Sequence, residues 1–241
     1  MNAARPVLVA CSHGTDNAQG RAVVSSIVDQ VRGLLPDVEV LETYVDVQHP
    51  QVGEVLAGIA PDRPAVVVPL LLSGGFHVNV DIAEAVAERA ATGAPTVASS
   101  ALGPDERLAR VLLDRLAEAG AHPGDSVVVA AAGSSDANAA GDVEKVVEHV
   151  AAAWGGPVSV GYATFATPRV GVAADLARAS LGGGSHGRVV LASYLLAPGF
   201  FQDNLGKVGA DVLAEPLGTH PLLAHVVVDR YRTAAAAFDD A

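Results

Sequence analysis

Apolar and polar positions alternate between two periods along this chain. Val7–Cys11 is an unbroken apolar run that stops at Ser12-His13-Gly14, which predicts a buried strand ending in a turn. Over Arg21–Leu35 the apolar residues Val23, Val24, Ile27, Val28, Val31, Leu34 and Leu35 follow helical spacing, and Pro36 closes that helix. Val38–Val45 reads as a second strand and Val52–Ile59 as a short helix. Ala65–Leu72 is apolar throughout, as expected of a strand covered by helices on both faces. After the loop "SGGFHVNVD" (73–81) a helix is predicted over Ile82–Ala91, a weaker strand in "PTVASSAL" (95–102), and a helix over Asp105–Ala119 with Leu108, Val111, Leu112 and Leu116 on one face. Strands alternating with helices of this length predict an α/β fold with a parallel sheet and right-handed crossovers.

The pattern then starts again. "VLVACSHGTDNA" from Val7 matches "VVVAAAGSSDAN" from Val127, and "ETYVDVQHPQV" matches "SVGYATFATPRV", pairing Tyr44 with Tyr162 and Pro50 with Pro168. "VVPLLLSGGFHVNVDI" matches "VLASYLLAPGFFQDNL", pairing Gly75-Phe76 with Gly199-Phe200. "SALGPDERLARVLLDRL" matches "EPLGTHPLLAHVVVDRY". The prediction is a tandem duplication giving two similar parallel-sheet lobes, residues 1–121 and 122–241, facing a central cleft.

Composition refines this picture. Half of the 241 residues are apolar and 17% are charged, enough for a sizeable core, while aromatics are only 4%. Fifteen Lys and Arg against 27 Asp and Glu leave a formal charge of −12, which argues against nucleic acid and anionic membrane surfaces as partners. The single cysteine, Cys11, excludes an internal disulfide. No stretch approaches about 18 consecutive apolar residues, and the short run at the N-terminus reads as the first strand of a cytoplasmic protein rather than as a leader.

The candidate chemistry sits at predicted strand ends, where open parallel sheets bind ligands. His13 follows the first strand, Asp46 ends the second and His77 follows the third. Two imidazoles and a carboxylate suit a divalent transition metal. Gly14 and Gly75 allow close backbone approach to a flat ligand, with Phe76 beside it. Each residue also has an ordinary alternative, as a turn histidine or a helix-capping aspartate. The duplication separates the two: His13 falls opposite Ala132, Asp46 opposite Thr164 and His77 opposite Phe201. A frame kept twice with its polar groups kept once does not need those groups to fold.

"SHGT", "YVDVQHP" and "VVVPLLLSGGFHVNVD" together resemble the sirohydrochlorin chelatases of the class II chelatase superfamily, in their two-repeat form, over nearly the whole chain. The resemblance implies ATP-independent insertion of Fe²⁺ or Co²⁺ into sirohydrochlorin, for sirohaem or cobalamin biosynthesis. The metal would be a substrate, with no tightly bound cofactor, and the protein a monomer or homodimer. It implies that His13 and His77 bind metal and act catalytically, that Asp46 joins them at the metal, and that Gly14, Gly75, Phe76 and Phe201 touch the macrocycle. Two departures are visible: Asp16 stands where many relatives carry arginine, and Asp46 where glutamate is common. Arg21 and Lys207 are the candidate contacts for the macrocycle's carboxylates. The competing expectations are a chelatase for another tetrapyrrole or metal, such as coproporphyrin or nickel, and a non-catalytic binding protein.

Overall fold

The computed structural model describes residues 5–75, 78–181 and 187–238. The first sheet contains β1 (Val7–Ser12), β2 (Val40–Tyr44), β3 (Ala65–Pro69) and β4 (Thr96–Ala98), all parallel, in the order β2-β1-β3-β4. The second contains β5 (Ser126–Ala131), β6 (Val158–Tyr162), β7 (Val189–Tyr194) and β8 (Val212–Leu213), parallel in the order β6-β5-β7-β8. The two topologies are identical, as a tandem duplication requires. The central strands β1, β3, β5 and β7 are buried along their whole length, which explains their unbroken apolar runs.

The connecting helices are α1 (Ala18–Leu34), α2 (Val52–Gly58), α3 (Ala83–Ala91), α4 (Glu106–Glu118), α5 (Ala137–Ala153), α6 (Val170–Ser180), α7 (Phe200–Leu205) and α8 (Pro221–Ala235). The starts of α1, α4, α5 and α8 are capped by residues the apolar period does not reveal. Asn17 accepts from the Gly20 N–H at 2.9 Å, and Asp136 from Asn138 at 2.9 Å. Asp105 accepts from the Arg107 N–H at 3.0 Å, and at the equivalent place in the second repeat His220 Nδ1 accepts from Leu222 at 3.2 Å. A π-helical turn, Val78–Ile82, leads directly into α3 where the sequence predicts loop. Among the described residues no helix is long and apolar enough to cross a membrane.

The compact units differ from the sequence repeats. One unit comprises residues 1–102 together with 219–241, and the other 103–218. The last helix of each repeat therefore belongs to the other repeat's unit, and the boundaries 1–121 and 122–241 do not describe compact bodies. In the first unit α8 packs along α1 and against β3. There Arg230 Nε and Nη2 donate to the carbonyls of Ala101 and Leu102 at 2.9 and 2.8 Å, and Tyr231 Oη donates to Pro6 O at 2.7 Å. In the second unit α4 packs on α5 and β7. Its Arg115 donates through Nε to Pro216 O at 3.1 Å and through Nη2 to Leu217 O at 2.8 Å. Arg115 and Arg230 are repeat equivalents, as are Ala101-Leu102 and Pro216-Leu217, so the exchange is reciprocal down to individual hydrogen bonds. Each arginine satisfies carbonyls at the end of a sheet it does not follow in sequence.

Candidate active site

The carboxyl end of the first sheet is built by backbone hydrogen bonds that continue beyond the strands. Val45 N–H donates to Ser12 O at 3.0 Å and Asp46 N–H to His13 O at 3.1 Å, so β2 stays in register with β1 past the last residue of each strand. This places His13 and Asp46, 33 positions apart, on neighbouring chain segments, and both are exposed. Gly14 follows at φ +90°, and a Cβ there would lie 2.3 Å from Asp46 O. The two loops approach too closely for any side chain, which is the physical reason for glycine at this position.

The β2–α2 loop carries strain. Gln48 N–H donates back to Asp46 O at 2.5 Å, closing a three-residue γ-turn around Val47 at φ +58°. A β-branched residue in the left-handed region is disfavoured, and such conformations persist where the surroundings over-determine them. Those surroundings are visible. Asp46 Oδ1 accepts from Val47 N–H at 2.8 Å, Gln48 Oε1 accepts from Thr15 N–H at 2.9 Å, and His49 Nδ1 lies 3.2 Å from Glu54. Arg21, the candidate carboxylate contact, donates to Thr15 O at 2.8 Å and pairs with Asp16 at 3.5 Å; Lys207 donates to Asn204 Oδ1 at 2.9 Å.

Beneath this surface lie two buried groups. Ser12 is 3% exposed, and its Oγ has no hydrogen-bond partner among the described residues. Burial, reinforced by the Asp81 carboxylate, pushes the Cys11 thiol up to about 12, so this cysteine is a neutral core residue. That electrostatic coupling puts Asp81, on the π-helical turn, near the end of β1. Sequence reasoning passed over Asp81; its signal was a carboxylate four residues after His77. From β3 the chain turns with Leu70 N–H on Cys11 O at 2.7 Å, and Gly75 N–H donates to Ser73 O at 3.0 Å. Phe76 and His77 lie outside the described residues. Among the described residues no three His, Cys, Asp or Glu side chains form a metal-holding group.

The second sheet repeats the frame without the chemistry. Ala163 N–H donates to Ala131 O and Thr164 N–H to Ala132 O, both at 2.9 Å; Ala166 N–H closes a γ-turn on Thr164 O at 2.6 Å around Phe165 at φ +53°. Gly133, at φ +87°, corresponds to Gly14. These bonds match His13 to Ala132, Asp46 to Thr164 and Val47 to Phe165. Thr164 donates its hydroxyl to Ala132 O at 2.8 Å, a second bond between the same two loops.

Phe201, expected to touch the macrocycle, is partly buried and packs on the core cluster containing Leu191, Leu195 and Leu205, whereas its neighbour Phe200 is 72% exposed. A step of one residue on a helix rotates a side chain by about 100°, which turns the two rings to different surroundings.

Comparison with known proteins agrees with this architecture. The CbiX family model matches residues 7–119 and again 126–234. A curated relative, the "probable sirohydrochlorin cobaltochelatase" of Halobacterium salinarum, is 33% identical over 145 residues, covering 55% of this chain and 49% of that protein. The match thus spans about half the relative's length. The fold resembles the SirB structure from Bacillus subtilis with Fe³⁺, with a TM-score of 0.81 at 18% identity over 98% of both chains. It also resembles the sirohydrochlorin chelatase SirB from Bacillus subtilis subspecies spizizenii in complex with cobalt, with a TM-score of 0.79 at 17% identity over 96% of both. With nearly every residue falling in one of two tandem matches to the same model, the chain belongs to the CbiX family.

Proposed function

We propose that the protein inserts Fe²⁺ or Co²⁺ into sirohydrochlorin without a nucleotide. The observation that carries this reading is the contrast between repeats: one hydrogen-bonded frame is built twice, and only the first copy bears His13 and Asp46 at its exposed strand ends. Family membership and the cobaltochelatase relative supply the substrate class. Sirohaem or cobalamin formation is the corresponding pathway.

The chemistry has a simple charge balance. A divalent ion enters the macrocycle as two inner N–H protons leave. Imidazole, with an unperturbed pKa of about 6.5, is largely neutral near pH 7 and can accept a proton or present a metal through the same lone pair. His13 and His77 divide these roles, and Asp46 offsets the charge of the arriving cation or orients an imidazole. The metal is a substrate that must leave, so a sparse donor set on exposed loops suits it better than a closed four-ligand cage. With Arg21 held by Thr15 and Asp16, the macrocycle's carboxylates are left largely to solvent in this acidic protein.

The test is anaerobic incubation of the purified chain with sirohydrochlorin and either metal, following the visible absorbance change against the spontaneous rate. Wild type accelerates insertion; His13→Ala and His77→Ala abolish it, and the exposed His13 position keeps stability within about 0.5 kcal/mol, the range of surface substitutions. If both variants keep full rates, the site assignment fails. Competition between the two metals at equal concentration identifies the preferred one.

A further inference from the structure

The loop that carries Asp46 holds a further histidine with no task so far. His49 stands three residues after Asp46, and its side chain is 72% exposed. The loop is closed at its base, where Tyr44 N–H donates to Pro50 O at 3.2 Å, so residues 45–49 project from the end of β2 as one unit. Three residues span at most about 11 Å when fully extended. The γ-turn around Val47 shortens that reach, which keeps His49 at the rim of the surface that holds Asp46. Val52 and Leu56 of α2 share one core cluster with Cys11 and Ile82. His49 therefore lies at the start of a helix on the same sheet face as the π-helical turn.

The imidazole is oriented by a carboxylate. His49 Nδ1 lies 3.2 Å from Glu54 Oε2, which also accepts from the Gln51 N–H at 2.7 Å. The Gln51 N–H, and after it the His49 ring, hold the Glu54 carboxyl below its usual range. An ionised carboxylate can only accept, so Nδ1 carries the proton and the lone pair of the neutral ring is at Nε2. Metal-ligating histidines commonly donate their second ring nitrogen to a carboxylate in this way, which fixes the ring and makes the free nitrogen more basic.

The duplication shows that the pair is not needed to build the loop. The closing bond recurs as Tyr162 N–H on Pro168 O at 2.9 Å, and α6 starts at Val170 as α2 starts at Val52. At the matched positions Thr167 replaces His49 and Val172 replaces Glu54. Loop closure and helix start survive without either group, and both members of the pair occur only in the repeat that bears His13 and Asp46. We propose that His49, backed by Glu54, is a capture ligand for the divalent metal, taking the hydrated ion through Nε2 at the rim of the site before it passes inward. This rests on the chelatase reading and adds a step ahead of insertion.

The choice of imidazole has a chemical reason. A formal charge of −12 attracts every divalent cation to the surface, and carboxylates favour magnesium and calcium, whereas imidazole favours transition metals. One histidine on the rim therefore sorts the ions that the acidic surface collects. Capture exchanges one metal-bound water for Nε2, and transfer exchanges Nε2 for the next ligand, with no net proton or electron movement. A single protein ligand leaves the other coordination positions to water, so the ion is held weakly and released readily.

The experiment has two arms on the full chain. In the first, Co²⁺ alone is titrated into the metal-free protein while the imidazole nitrogens are followed by long-range proton–nitrogen NMR, the His49 signal being assigned by its loss in His49→Ala. Co²⁺ broadens that signal and Mg²⁺ leaves it sharp; a His49 signal untouched by Co²⁺, or equally perturbed by Mg²⁺, overturns the inference. In the second, insertion kinetics into sirohydrochlorin are measured at varied metal for wild type, His49→Ala, His49→Gln and Glu54→Gln. Glutamine at 49 can still donate to Glu54 but lacks the imidazole, and glutamine at 54 can still accept from Gln51. Both His49 variants raise the KM for metal about tenfold, the low end of the loss expected on removing an outer group of a metal site; Glu54→Gln raises it by less. The kcat, the KM for sirohydrochlorin and the thermal stability stay at wild-type values. An active enzyme whose metal KM is unchanged in both His49 variants overturns this inference alone. Stability or kcat lost in His49→Ala and restored in His49→Gln assigns His49 to the support of α2 and likewise overturns it. A wild type that inserts neither metal removes the chelatase reading, and the capture role with it.

Discussion

Gly14→Ala, paired with Gly133→Ala, tests whether the strand-end frame is one device used twice for different ends. At Gly14 the new Cβ would sit 2.3 Å from Asp46 O, and at Gly133 2.0 Å from Thr164 O, against backbone in both cases. A left-handed φ costs a non-glycine residue about 1–2 kcal/mol. Relieving the overlap means moving the partner loop by about 1 Å, since real Cβ contacts lie beyond 3.0 Å. That movement weakens the bond from Asp46 N–H to His13 O, or from Thr164 N–H to Ala132 O, worth about 0.5–1.5 kcal/mol. Each variant should therefore lose about 1.5–3.5 kcal/mol in urea denaturation, and the two losses should agree within about 1 kcal/mol. Activity should separate them. A 1 Å displacement at a reacting centre can cost about a hundredfold in rate, so Gly14→Ala should lose that much in kcat at equal folded fraction. Gly133→Ala should retain kcat within about threefold. Equal losses of kcat in both variants would refute the division of labour between repeats. Wild-type stability in both would refute the steric account of these glycines.

Three further outcomes follow from the geometry. Arg230→Ala and Arg115→Ala each remove a charged donor serving two carbonyls, and each should destabilise by about 2–4 kcal/mol; lysine at either position should restore less than half, because it lacks the planar fork. Burial alone would raise the Asp125 carboxyl, but hydrogen bonds from Arg188 and from the His122 and Arg188 N–H groups outweigh it and bring the carboxyl down to about 2. Its folded pKa lies below the unfolded value of about 3.9, so its stabilisation is present above that pH and is lost as pH falls from about 4 through about 2; Arg188→Met should flatten the stability–pH curve in that window. The Cys11 thiol, pushed up to about 12, should resist alkylation by iodoacetamide at pH 8 and react only in denaturant; labelling of the native chain at the rate of a free thiol would contradict its burial.

Much of this protein is determined locally. Unbroken apolar runs such as Val7–Cys11 and Ala65–Leu72 mark strands covered on both faces, although the second strand ends at Pro69, three residues short of its run, and the helical period between them favours parallel connections. The repeat and the one-sided placement of His13 and Asp46 are equally visible, because a matched frame is a property of order along the chain. What only the tertiary structure decided are choices between locally equivalent partners. The apolar stripes of α4 and α8 fit either sheet, since the sheets are copies, and so nothing in either helix announces that it crosses to the other unit. Phe200 and Phe201 are adjacent and chemically identical, and the helix's rotation per residue buries one and exposes the other. Val47 and Phe165 carry no sequence mark of a left-handed turn, because the conformation is imposed by hydrogen bonds from neighbouring segments rather than preferred by the residues. Asp81 gains its place near β1 through a π-helical turn that the apolar period does not encode. Periodicity records which residues need burial; which of two equivalent surfaces buries them is settled only when the whole chain packs.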